Sequence, residues 1–222
     1  GPGRGLMMGG IGNLGSAEIP MGMGGCQGAG PSTGMPTKPE QGDISLMALG
    51  GTGDFPRIVL APGNPRDCFE LSVEATNLSQ RLQCPVFLAL DQAVGQDSTT
   101  VAPFDLDEIS IEWGKRLCSD DLKNVRQYRR YEMADDGVSP WAVPGVEGGM
   151  NLVTGNERDE WGFVTAAPGN RKKMMDKRQN KLKHTLKDLP KGLRFGDHHA
   201  PIGIIAVGMA SGVIREAVDR LR

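Results

Sequence analysis

The segment "RIVLAPGNPRDCFELSVEATNLSQRLQCPVFLALDQ", residues 57–92, constrains the fold more than any other part of the chain. Ile58, Val59 and Leu60 form a short apolar run closed by Pro62 and Gly63, which reads as a buried strand. Asn64 then stands as an N-cap, with Pro65 at the first helical position. Cys68, Leu71, Ala75, Leu78 and Leu82 recur at three- and four-residue steps, the spacing of one apolar helix face. "CPVFLALDQ" follows as a second buried strand. Strand, helix and strand in so short a stretch make a βαβ unit, and its strands must run parallel. Such units take ligands at the carboxyl ends of their strands, so the loops after Leu60 and Leu90 are site candidates.

The chain has 222 residues, enough for one complete domain and a fragment of a second. The fold class expected is α/β with a parallel sheet. Of the 32 glycines, 17 fall in the first 53 positions, roughly four times the density of an ordinary domain. Residues 93–200 alternate acidic, basic and Pro/Gly-rich stretches, and read as a long connecting segment with short elements. Within them, residues 171–189 carry eight Lys or Arg, with Met175, Leu182, Leu186 and Leu189 on one helical face, stopped by Pro190. The expectation is a helix docked by that apolar stripe with its basic face in solvent; a nucleic-acid or acidic-partner patch is the alternative. "PIGIIAVGMASGVIREAVDRL" closes the chain as a β-branched strand, a small-residue turn and an amphipathic helix through Ile214, Ala217, Val218 and Leu221. It reads as the start of another α/β domain, and both ends of the chain read as cuts through larger elements.

A net charge of -2 gives no bulk attraction to nucleic acid or to an acidic membrane. No run reaches about 18 consecutive apolar residues, so neither a membrane span nor a leader is expected, and the chain reads as soluble and cytoplasmic. Cys26, Cys68, Cys84 and Cys118 lie 42, 16 and 34 residues apart, with no CxxC pair. They read as reduced thiols that serve packing. His184, His198 and His199 have no metal-ligand spacing with acidic or cysteine partners, so no metal site is expected.

Three stretches together resemble one family: "GPSTGMPTKPEQGD" with "GDFPRIVLAPGNPRDCFEL", then "GVSPWAVPG" with "VTGNERDEWG", and last "IIAVGMASGVIREAVD". They are similar, in the family's order, to the alpha subunit of 2-oxoacid:ferredoxin oxidoreductases, in particular the 2-oxoglutarate type. The resemblance implies that residues 1–92 are the later part of a domain facing the pyrimidine ring of thiamine diphosphate. It implies that residues 93–200 connect, and that residues 201–222 begin a transketolase-like carboxyl-terminal domain. It places the glutamate that activates the aminopyrimidine, and a substrate-facing threonine loop, upstream of Gly1.

The activity implied is oxidative decarboxylation of a 2-oxoacid, most simply 2-oxoglutarate, to acyl-coenzyme A and CO2, with electrons passed to ferredoxin. A beta subunit would share the thiamine diphosphate and its Mg2+ and hold the iron–sulfur cluster, with coenzyme A as co-substrate. Within the loop, Gly30 and Gly34 allow a tight backbone approach beside Pro31, while Ser32, Thr33 and Thr37 offer hydroxyls and Lys38 a cation for a substrate carboxylate. The alternative for these hydroxyls is a surface turn in which they satisfy backbone groups. Gly28 stands where the resemblance expects an arginine for the 2-oxoacid carboxylate, Gly9 where it expects glutamate, and Arg158 where it expects histidine. Glycines at 22, 24, 25 and 28 are expected to weaken their strand by roughly 0.5–1 kcal/mol each relative to Ala. A truncated or degenerate subunit that keeps only the partner-docking surface is the alternative function.

Overall fold

The computed structural model describes residues 2–187, 189–197 and 199–221, so Gly1 and His198 lie outside the described residues. The elements are α1 (Pro2–Ala17), β1 (Met21–Cys26), α2 (Ile44–Leu49), β2 (Ile58–Leu60), α3 (Pro65–Leu82), β3 (Pro85–Leu90), α4 (Gln92–Gln96), β4 (Arg116–Leu117), α5 (Ser119–Leu122), β5 (Trp141–Ala142), α6 (Pro168–Thr185) and α7 (Ala210–Arg220).

The βαβ unit is present as expected. Asn64 caps α3 by accepting from the backbone N–H of Asp67 at 3.0 Å, with Pro65 in the first turn. Gln83 ends the helix in the left-handed region, φ 48°, and its N–H reaches back to Ser79 O. β2 and β3 pair in parallel, Ile58 opposite Val86 and Leu60 opposite Leu88. β1 joins the other side of β3, also parallel, to give the order β1-β3-β2.

The central strand explains its own sequence. Val86 and Leu88 face α3 and pack with Ile58, Leu60, Ala75, Leu78 and Leu82. Phe87 and Ala89 face the other way and pack with Ile11 of α1 and Met47 of α2. A strand covered on both sides must be apolar at every position, and β3 is.

α1 is the element that sequence reasoning did not foresee, because its 16 residues include six glycines. Each costs about 1 kcal/mol of helix propensity relative to Ala, so packing, through Ile11 and Ala17, sustains the helix. At Gly15 the glycine is required: a Cβ there would lie 2.3 Å from Cδ2 of the Phe55 ring.

α6 corrects the expected docking face. Its buried residues are Met174, Lys177, Arg178, Lys181 and Thr185, whereas Leu186 is 63% exposed. The helix ends at Thr185, ahead of Pro190. The physical reason is a pair of carboxylates waiting beneath it. Glu18, fully buried just after α1, receives Lys177 Nζ at 2.7 Å and Lys181 Nζ at 2.7 Å, while Arg130 donates to its backbone oxygen at 2.6 Å. Burial alone would raise the Glu18 carboxyl, but Lys181, Lys177 and Arg130 outweigh it and hold it well below the ordinary range. Burial pulls Lys177 down to about 8 despite Glu18. Glu157 likewise accepts from Arg178 at 2.6 Å and Arg171 at 2.5 Å. Leu182 and Leu189 do pack against the core on the α3 side.

Two further expectations are corrected. Residues 202–207 form no strand among the described residues, and Ile202, Ile204, Ile205 and Val207 are exposed, because no neighbouring strand offers them a ladder. α7 forms where the amphipathic pattern placed it, but none of its residues is buried. Of the cysteines, only Cys84 is a core residue; Cys26 and Cys118 are exposed and Cys68 half-buried, all four free. No helix among the described residues is long and apolar enough to cross a membrane.

Two predictions follow from this packing. Cβ atoms at Gly22 and Gly24 would meet their nearest neighbours, Thr76 Oγ1 and Leu90 Cδ1, at 3.9 and 4.0 Å, which is ordinary contact. Gly22→Ala and Gly24→Ala should each raise the free energy of urea unfolding by about 0.5–1 kcal/mol. Glu157 concerns pH: burial would raise its carboxyl, but hydrogen bonds from Arg178 and Arg171 prevail and hold it at about 2. A depressed carboxyl contributes stability above its unfolded value of about 4.3 and loses it as pH falls toward the folded value. The urea midpoint should therefore drop as pH falls from 4.3 to about 2. Glu157→Gln should cost about 1.5–3 kcal/mol at pH 7 and flatten that slope.

Candidate functional site

The carboxyl ends of the three parallel strands share one edge of the sheet, and the segments leaving them converge there. Asp91 sits at the centre, immediately after β3 and 2% exposed. Its carboxylate accepts from Gln27 Nε2 at 3.3 Å, from Gln41 Nε2 at 3.1 and 3.2 Å, and from the backbone N–H of Met209 at 2.7 Å. Gln41 Nε2 also donates to Val207 O at 2.7 Å. One buried carboxylate thus ties both ends of the loop between β1 and α2, and the segment entering α7, to the sheet. Gly208, at φ 64°, allows this approach: a Cβ there would lie 2.3 Å from Asp91 Oδ2. The loop after Leu60 arrives beside them, since a Cβ on Gly63 would lie 3.2 Å from both Gly208 O and Ser211 Oγ.

The loop between β1 and α2 is tightly wound. Ala29 and Met35 form an antiparallel bridge, and Gly34, at φ 51°, turns where a Cβ would stand 1.9 Å from Ala29 O. The Gly30–Pro31 peptide is cis. Ser32 at φ 56° and Thr37 at φ 62° occupy the left-handed region, which is uncommon for non-glycine residues and disfavoured most for a β-branched one. Gly30, Pro31, Ser32, Thr33, Gly34, Thr37 and Lys38 are all exposed. The side chains of Ser32, Thr33, Thr37 and Lys38 make no hydrogen bond or ion pair among the described residues. Their hydroxyls are therefore not spent on backbone groups. At Gly28 nothing lies within 4 Å of where a Cβ would be, so the position opens into free space. Beside it, Gln27 is 1% exposed and its Oε1 is buried without a partner.

Sequence reasoning singled out the loop and the strand ends but not Asp91, Gln27 or Gln41, which organise them. The available signal was an acid closing an apolar strand in "LALDQ". Arg158 lies elsewhere: it is 1% exposed and donates to Ser16 O at 3.2 Å, Ser16 Oγ at 3.1 Å and Tyr131 Oη at 3.1 Å, near the carboxyl end of α1. Ser16 stands just ahead of Met21, where β1 begins, so these contacts lie toward the end of that strand opposite the loop and are those of a structural residue. Gly9 and Gly12 border a cleft of about 410 Å³ that Glu157, Arg171 and Arg178 also line. A glutamate at Gly9 would meet no atom within 4 Å at its Cβ. Burial raises the Cys84 thiol to about 11, which suits a core residue rather than a nucleophile. No group of three His, Cys, Asp or Glu among the described residues is arranged to hold a metal ion.

Comparison with known proteins places this geometry. Residues 1–177 match the family described as pyruvate flavodoxin/ferredoxin oxidoreductase, thiamine diphosphate-binding. The 2-oxoacid:ferredoxin oxidoreductase subunit alpha of Saccharolobus solfataricus is 36% identical over all of this chain, which covers 35% of that protein. The 2-oxoglutarate synthase subunit KorA of Methanocaldococcus jannaschii is 28% identical over the whole chain, covering 58% of its length. A solved structure of 2-oxoglutarate:ferredoxin oxidoreductase from Magnetococcus marinus, with 2-oxoglutarate, coenzyme A and succinyl-CoA bound, superposes with a TM-score of 0.91 at 35% identity, over 100% of this chain and 38% of that one. The chain thus spans about a third of the first of these relatives. With the parallel sheet, the convergent strand ends and a match over most of its length, the chain belongs to the thiamine-diphosphate-binding family of pyruvate flavodoxin/ferredoxin oxidoreductases.

Proposed function

We propose that this chain is part of the alpha subunit of a 2-oxoacid:ferredoxin oxidoreductase that acts on 2-oxoglutarate. The reaction consumes the 2-oxoacid and coenzyme A, releases CO2 and an acyl-coenzyme A, and passes two electrons to ferredoxin. The observation that carries the reading is the loop of residues 28–42, clamped to the carboxyl edge by Asp91, whose exposed Ser32, Thr33, Thr37 and Lys38 have no partner of their own among the described residues.

The residues present suit the pyrimidine side of thiamine diphosphate. Gln27 Oε1 is a buried acceptor lacking a donor, and an amino group would satisfy it. When bound, this cofactor supplies a carbon nucleophile and a sink for the electrons left by decarboxylation. The chain's own contribution is positional: Gly30 and Gly34 bring backbone close, the hydroxyls offer hydrogen bonds at the rim, and Lys38 offers a cation to a carboxylate. In this reading magnesium, the diphosphate and an iron–sulfur cluster fall to the beta subunit.

A second reading is a non-catalytic subunit that retains only its docking surface, and Gly28 favours it, because no guanidinium stands where a substrate carboxylate would be met. The test is co-expression of the full subunit containing this chain with a beta subunit, measuring coenzyme-A-dependent reduction of a viologen dye with 2-oxoglutarate and with pyruvate. Activity on 2-oxoglutarate is expected, with Gly28→Arg lowering its KM about tenfold, the worth of one charge-assisted hydrogen bond. Inactivity that Gly28→Arg leaves unchanged would overturn the catalytic reading.

A further inference from the structure

Arg4 occupies a costly place. It lies in the first turn of α1, where the helix dipole disfavours a cation, and it is only 8% exposed. Its guanidinium fills the space that a side chain at position 25 would take: a Cβ on Gly25 would lie 1.1 Å from Arg4 Nη2 and 2.2 Å from Cζ. Through that gap Arg4 Nη1 comes to 3.8 Å from Asp43 Oδ2, and both side chains are about nine-tenths buried. Nη1 has no hydrogen-bond partner. Burial lowers the guanidinium pKa, and Asp43 is the largest influence opposing it.

Asp43 is the point where the 28–42 loop becomes α2. It holds the N-cap position, yet its carboxylate makes no cap hydrogen bond to α2. Two fastenings of the loop by its glutamine side chains, Gln27 and Gln41, lead to Asp91. Arg4 therefore supplies a separate anchor, reaching the last residue of the loop from a different element.

We infer that Arg4 is a positioning residue for the 28–42 loop, and that position 25 is glycine because the Arg4 guanidinium passes through it to hold Asp43. The two positions act as one device: removing the guanidinium and expelling it should have the same consequence. The kinetic part of the test rests on the function proposed above; the exchange part does not.

The experiment is hydrogen exchange of residues 28–43 on the full-length subunit, in the wild type, Arg4→Met, Gly25→Ala and the double variant. Each single substitution should accelerate amide exchange in the loop about tenfold while leaving β3 protected, and the double variant should be no faster than Arg4→Met alone. Arg4→Lys, which keeps the charge on a shorter stem, should fall between wild type and Arg4→Met, and it serves in place of Arg4→Met should that variant fail to fold. In the assembled enzyme, the single variants should raise KM for the 2-oxoacid more than they lower kcat. Unchanged exchange in the loop, or additive effects of the two substitutions, would overturn the inference. If the exchange pattern holds and the enzyme shows no turnover, the inference stands and the functional reading fails.

Discussion

The burial of β3 on both faces is the constraint from which the rest of the fold follows. Six consecutive residues covered above and below leave the backbone no polar partner except neighbouring strands, and β1 and β2 supply them in parallel register. α3 must then lie on one face, and α1 with α2 on the other. Parallel register sends all three carboxyl ends to the same edge. Asp91, the residue at which the apolar strand stops, is the natural collector of the polar groups that arrive there.

A second organising element lies at the opposite side of α1. Glu18 and Glu157 draw α6 down onto the domain through lysine and arginine, alongside Leu182. Buried pairs of this kind are costly to desolvate and lose several kcal/mol when one partner is removed. Their value here is register: a leucine stripe tolerates sliding along a groove, whereas Lys177 and Lys181 on one carboxylate and Arg171 and Arg178 on another fix the helix both along and around its axis. The same helix face illustrates why charge counted along a sequence says little about solvent exposure.

Much of this was legible in the sequence, and the reasons for the failures are physical. The βαβ unit declared itself because cap, proline, periodicity and apolar runs all agreed over residues 57–92. The loop at residues 30–38 was legible through its resemblance to a known family and its glycine and hydroxyl content. α1 was hidden because its six glycines argue against the helix that Ile11 and Phe55 stabilise by packing. The buried cations of α6 were not legible because nothing local announces that Glu18, 159 residues away, will meet Lys177. Residues 202–207 carry the composition of a strand, but a strand is a property of a pair, and no described strand pairs with them.

The glycines of α1 have a consequence for motion. A helix with so little intrinsic propensity is held by what it touches, and its amino-terminal turn, where Leu6 is 90% exposed, touches little besides the Arg4 slot. Fraying of that turn therefore competes directly with the contact between Arg4 and Asp43. Through Arg4 and Asp43, the first turn of α1 and the junction of the loop with α2 are therefore tied to one another.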